Sequence, residues 1–145
     1  MCTRPLLIEP TIIVTDTPEQ RDGDVIAQGL TAYNTEHVGP TDWRLLGVLV
    51  KDSDGNTVGG IGGKSTLGVL FLDLVYLPKA LRGSGLGSRM LAMAEEEGRR
   101  RGCRSAVLYT LSFQAPEFYK KHGWRVFGEI ACDRGASRIF MTKEL

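Results

Sequence analysis

No stretch of this sequence is apolar over the ~18 residues that a membrane helix requires, and none resembles the apolar core of a signal peptide. The first ten residues, MCTRPLLIEP, hold one arginine and a short apolar patch. A cytoplasmic protein is expected, with no membrane partner. Cysteine is scarce. Cys2, Cys103 and Cys132 are odd in number and far apart, with no C-x-x-C pair and no zinc-site spacing. Three reduced thiols and no metal are expected. An excess of one charge is also missing: 18 Lys and Arg stand against 17 Asp and Glu, a net +1. A dedicated nucleic-acid binder usually carries a basic excess, so nucleic acid is not an expected partner. No repeat, linker or low-complexity tract interrupts the chain. Its 145 residues, 42% hydrophobic and 24% charged, suit one domain over 1–145 with one core.

What is present is a regular succession of elements. Residues 11–15 (TIIVT) are β-branched and read as a strand. Thr17, Pro18 and Gln20 carry the signals of a helix start, with Thr17 as cap. Val25, Ile26, Gly29, Leu30 and Tyr33 follow at helical spacing. Gly23 and Gly29 predict a break or bend before Pro40. Residues 43–51 and 57–65 read as strands joined by the turn DSDGN. The glycines at 59, 60, 62 and 63 predict bulges or close backbone approach. Residues 67–77 (LGVLFLDLVYL) suit a central strand buried on both faces, with Asp73 its one charge and Pro78 its end.

A helix is then predicted from Leu86 to about residue 101, with Leu86, Met90, Met93, Ala94 and Glu97 at helical spacing. Glu95/Arg99, Glu96/Arg100 and Glu97/Arg101 are i,i+4 pairs that read as a solvated face. Gly102 ends the helix. A strand at 105–111, a short helix at 115–122 and strands at 124–131 and 137–143 complete the order β-α-β-β-β-α-β-α-β-β. The central β-α-β unit needs a parallel pair with a right-handed crossover, so the sheet should be mixed.

The most informative segment is the strand-to-helix turn Arg82-Gly83-Ser84-Gly85-Leu86-Gly87-Ser88. Its glycines let successive N–H groups point one way, and a helix starting there adds free amides and the positive end of its dipole. Such a nest fits a pyrophosphate; a tight turn shaped by glycine is the plainer alternative. The dinucleotide pattern G-x-G-x-x-G fails, because the sixth place from Gly83 is Ser88. The Walker pattern at Gly63-Lys64-Ser65 also fails, because it needs glycine where Val58 stands.

Arg82-x-x-Gly85-x-Gly87 resembles the pyrophosphate motif Q/R-x-x-G-x-G/A of the GCN5-related N-acetyltransferase (GNAT) superfamily. Ala115-x-x-Phe118-Tyr119-x-x-x-Gly123-Trp124 resembles its second signature. The motifs cover residues 72–124, and the order of elements follows the family along the whole chain. The resemblance implies an α/β fold whose mixed, mostly antiparallel central sheet is splayed between strands 4 and 5, with helices on both faces. Acetyl-CoA, as co-substrate, would lie in that splay. Its pantetheine arm would bond the main chain of Val75, Tyr76 and Leu77, and its pyrophosphate would lie on Arg82 to Ser88. Ser112 stands where the family often has a cofactor-binding Asn, and its hydroxyl reaches less far. Lys120 and Lys121 are either contacts for the 3′-phosphate or plain surface lysines.

The reaction implied is acetyl transfer to a primary amine, by direct attack in a ternary complex. Tyr119 resembles the family tyrosine whose hydroxyl approaches the CoA sulfur; otherwise it packs on the sheet. With a phenol pKa near 10 and a thiol near 8.5, it can donate a hydrogen bond or a proton as the thiolate forms. Asp73 lies four residues before Leu77, on the same face of a regular strand. It is either the base that takes the amine proton or a structural acid. His37 and His122 are further candidates for the base, or surface histidines. The acceptor is expected near Tyr33 and Asn34, with Trp43 nearby and Glu36 or Asp42 drawing a cationic amine. Expected partners are a small-molecule or protein amine; a homodimer is left open. The rival readings are a non-catalytic acyl-CoA sensor on the same fold and a nucleotide-binding module of another fold.

Overall fold

The computed structural model describes residues 9–145, which leaves Cys2 outside the described residues. The chain gathers into two compact units, Met1–Pro40 and Thr41–Leu145. In the first, residues 11–15 take no regular element and join no sheet, so the expected first strand is not formed. Helix α1 (Gln20–Val38) is capped at Glu19 rather than Thr17. The Asp22 carboxylate reaches back to accept the Glu19 N–H at 2.8 Å, which draws the start two residues along. The expected break is absent: α1 runs through Gly23 and Gly29 over 19 residues. None of its side chains is buried.

The second unit is a six-stranded sheet with two helices. Its strands are β1 (Arg44–Lys51), β2 (Thr57–Thr66), β3 (Val69–Tyr76), β4 (Ser105–Leu111), β5 (Arg125–Ala131) and β6 (Ser137–Glu144). Helix α2 (Leu86–Arg100) links β3 to β4, and α3 (Pro116–Lys121) links β4 to β5. The strands lie in the order β1-β2-β3-β4-β6-β5. Only β3 and β4 are parallel; the other four pairings are antiparallel. The sheet is therefore mixed and mostly antiparallel, as expected. Because residues 11–15 stay outside it, the expected fourth and fifth strands are β3 and β4.

The apolar run at 67–77 is not one strand. Leu67 (φ 48°) and Gly68 (φ 78°) form a tight turn between β2 and β3, with the two positive φ values that a short hairpin favours. The glycines of β2 serve close approach. A Cβ at Gly60 would overlap the Val48 carbonyl oxygen, and one at Gly63 the Phe71 carbonyl oxygen.

Helix α2 lays Met90, Leu91, Ala94 and Gly98 on the sheet core of Leu46, Ile61, Leu70, Leu72, Leu108 and Met141. Met93, expected inside, is outside, and Leu91 takes its place. A Cβ at Gly98 would come within 2.9 Å of Leu70 Cδ2, so glycine sets how closely α2 approaches β3. Glu95 departs from the expected solvated face. It is buried, accepts from Lys143 Nζ at 2.6 Å and Trp124 Nε1 at 3.3 Å, and has Arg99 at 3.7 Å. Glu97 does pair with Arg101 at 2.7 Å, while Glu96 pairs with Arg99 at i,i+3 instead of Arg100.

Candidate active site

The β3–β4 ladder is short. It pairs Val69 with Ser105 and ends where Leu72 meets Leu108. Beyond that point both strands continue, β3 to Tyr76 and β4 to Leu111, without pairing to each other. The main-chain edge of β3 that faces β4 therefore has no strand partner from Asp73 onward. Its N–H and C=O groups have no strand to pair with, so an edge of this kind is open to a ligand in extended form. It also accounts for another departure from expectation: β3 is buried only at Leu70 and Leu72, whereas residues 73–76 are exposed.

Along its other edge β3 stays paired with β2, but with a slip. Gly62 faces Leu74 and Gly63 faces Leu72, which leaves Asp73 as an extra residue. A bulge reverses the alternation of side chains. Asp73 therefore does not share a face with Leu77, contrary to expectation. Leu77 packs against the core. Asp73 lies on the face of Phe71, where Lys64 Nζ pairs with its carboxylate at 3.0 Å and sits 5.4 Å from the Phe71 ring centre.

The chain then turns through Pro78 and a short 3-10 segment (Lys79–Leu81). Arg82 folds back, and its Nε donates to the Leu77 carbonyl at 2.7 Å. The Ser84 hydroxyl donates to the Leu81 carbonyl at 3.0 Å. Gly83 (φ 82°) and Gly85 (φ 81°) hold left-handed conformations in which a side chain is strained. Gly85 caps α2, and no side chain caps it. The first helical bond is Arg89 N–H to Gly85 C=O, at 3.1 Å. The amides of Leu86, Gly87 and Ser88 are thus left without acceptors in the helix. These free amides stand at the positive end of a 15-residue helix.

Helix α3 packs against this turn. A Cβ at Gly87 would touch the Phe118 ring at 3.6 Å. His122 Nε2 lies 3.0 Å from Ser88 Oγ. Tyr119 is buried at 5% exposure, with Phe118 edge-on at 5.2 Å and Trp124 at 6.1 Å. Burial pushes its phenol above the ordinary tyrosine value. Its hydroxyl hydrogen-bonds no group among the described residues. Among the described residues no fully enclosed polar side-chain atom lacks a partner, so this oxygen keeps some contact with solvent. The arrangement offers a proton donor that keeps its proton at neutral pH.

Ser112 faces β6, where its Oγ accepts the Ser137 N–H at 2.9 Å, leaving the hydroxyl proton free. Tyr33 and Asn34 lie on α1 in the first unit, where Tyr33 stacks on His37 at 4.4 Å. Three features had no readable signal in the sequence: the Ser88–His122 contact, the Arg82–Leu77 clasp and the Glu95 network. The first and the last depend on pairings between distant residues, and the Arg82–Leu77 clasp on the turn that closes the five positions between them.

A family description matches residues 20–124, most of the chain: the acetyltransferase (GNAT) family. The chain belongs to the GNAT family. An acetyltransferase of Agrobacterium fabrum is 33% identical over 118 residues, 81% of this chain and 86% of that protein. A blasticidin-S acetyltransferase of Streptomyces morookaense is 39% identical over 93 residues, 63% of this chain and 68% of that one. The fold agrees. A crystal structure assigned to an acetyltransferase of Agrobacterium tumefaciens superposes with a TM-score of 0.88 at 31% identity, covering 94% of this chain and all of that one. An acetyltransferase from Bacillus cereus gives 0.77 at 30% identity, over 92% and 98%. The GNAT assignment makes this chain an acetyltransferase.

Proposed function

We propose that this GNAT enzyme transfers the acetyl group of acetyl-CoA to a primary amine, by direct attack within a ternary complex. The observation that carries the reading is the early end of β3–β4 pairing, on the strand that leads into the free amides of α2. The residues present fit the co-substrate. Nothing lies within 4 Å of where a Cβ would stand at Gly83 or Gly85, so the turn leaves room for an anion. Amides donating to a charged group contribute roughly 1.5–3 kcal/mol each. A few of them hold a pyrophosphate without help from a cationic side chain.

In this reading Gly83, Ser84, Gly85, Leu86, Gly87 and Ser88 bind the pyrophosphate. Arg82 fastens the turn to the end of β3. The main chain of Val75, Tyr76 and Leu77 takes the pantetheine arm as an added strand, and a backbone N–H near Leu77 polarises the thioester carbonyl. Ser112 has its hydroxyl proton to offer the same ligand. The amine nitrogen bonds to the acetyl carbon, the carbon–sulfur bond breaks, and Tyr119 supplies a proton to the departing sulfur. The amine passes its proton to a water, and Asp73, on the face away from Leu77 and paired with Lys64, is the carboxylate assigned to receive it through that water. Its two oxygens retain lone pairs beyond those used by Lys64. Tyr33 and Asn34 are assigned to the acceptor, as the family resemblance suggests.

The test is release of free thiol from acetyl-CoA across a panel of amines, with a control lacking amine. Blasticidin S heads the panel because one relative is named for acting on it. An amine well above control, with a product heavier by one acetyl group, supports the reading. Acetyl-CoA binding without turnover on small or protein amines would contradict it and point to an acyl-CoA sensor.

A further inference from the structure

Resting on that reading of the α2 turn, we propose that His122 is a positioning residue that orients the Ser88 hydroxyl toward the bound phosphate. The two side chains meet at 3.0 Å, from helices 34 positions apart in sequence. Ser88 is the third residue of α2, and its amide is one of the free donors. The histidine ring is held in place. It packs edge-on to Phe118 at 4.8 Å, and its own carbonyl accepts from Lys143 Nζ at 2.7 Å.

A hydroxyl has one proton to give. If Nε2 of His122 is bare, it takes that proton, and Ser88 turns only lone pairs toward an anion. If Nε2 carries hydrogen, it donates to Ser88 Oγ, and the hydroxyl proton is free to point at the phosphate. A bound phosphate therefore selects the Nε2–H form. The imidazolium meets the same condition, since both its ring nitrogens carry hydrogen, and it also brings positive charge. Among the described residues, Lys143 of β6 donates to the His122 carbonyl and to Glu95 of α2, and Lys120 and Lys121 precede His122 in the chain. None of their side chains hydrogen-bonds the ring among the described residues. The ring's polar partner is Ser88.

The test is calorimetric affinity for 3′-dephospho-CoA at pH 6 and pH 8. This probe keeps the pyrophosphate and lacks the 3′-phosphate, whose own ionisation falls near pH 6. The wild type should bind at least about threefold more tightly at pH 6. His122→Phe and Ser88→Ala should each weaken binding about tenfold at pH 6, the scale of one hydrogen bond to a charged group. The double variant should be no weaker than either single one, because the two act through one contact. His122→Gln, whose amide still donates, should stay within about threefold of wild type and lose the pH dependence. Wild-type affinity and pH profile in His122→Phe would overturn the proposal. So would equal losses in the Phe and Gln variants, which would mean packing alone. Gly87→Glu separates the two claims: unchanged affinity in that folded variant removes the phosphate site itself. Loss in Gly87→Glu with none in His122→Phe removes only the role of His122.

Discussion

At the scale of single residues, burial sets the chemistry of Tyr119. Its phenol is raised above the ordinary tyrosine value because the ring is removed from water. The folded state therefore holds that proton more tightly than the unfolded chain does. The resulting stability is complete below the unfolded value near 10 and is lost as pH rises through the folded one. Melting temperature should fall above about pH 10, and less steeply in Tyr119→Phe; identical profiles would contradict this. The same substitution should lower kcat about 10²-fold or more with acetyl-CoA affinity little changed. Cys103 is also buried, and its thiol is raised. In the native protein at pH 8 it should alkylate far more slowly than after denaturation, read by mass spectrometry of the labelled peptide. Comparable rates would show that the site is open. Glu95 is the third case. Glu95→Ala leaves Lys143 without its carboxylate partner beside a Trp124 N–H that has lost its acceptor. Breaking such a pair costs about 3–5 kcal/mol, and denaturant melts would measure it.

At the scale of elements, the start of α2 is where glycine matters most. Gly85 has a positive φ, so Gly85→Ala should cost about 1–2 kcal/mol in stability from backbone strain. Gly87 has no positive φ, and a Cβ there meets only the Phe118 ring at an ordinary distance. Gly87→Glu should therefore fold and lose acetyl-CoA binding, because its carboxylate opposes the phosphate at the free amides. Unchanged calorimetric affinity in this variant would contradict the assignment. The turn was legible in the sequence because its glycines sit at a spacing that few other purposes require. The strand before it was less so. A nearly continuous apolar run hid the Leu67–Gly68 turn, and although the glycines of β2 announced a bulge, which comes at Gly62 and Gly63, nothing local showed that the extra residue opposite them is Asp73. That bulge depends on the register against β2, which is a long-range property. The same limit explains Glu95. Its i,i+4 partner implied a solvated face, whereas Lys143, 48 positions away, draws it inside.

At the scale of the whole molecule, the order of the later elements followed directly from periodicity and turn residues. Those signals are local, and each remaining strand and helix starts within a few residues of its expected place. The sheet order also followed in part, since a helix between two buried strands demands a parallel pair. What periodicity could not supply was where that parallel pair separates. The end of pairing at Leu72 and Leu108 carries the central functional claim. It is tested most directly by backbone hydrogen exchange with and without acetyl-CoA. Protection should rise in two segments, residues 73–77 and residues 83–88, and change little in β5. Acetyl-CoA binding with no added protection in either segment would place the ligand elsewhere and contradict the assignment of the site.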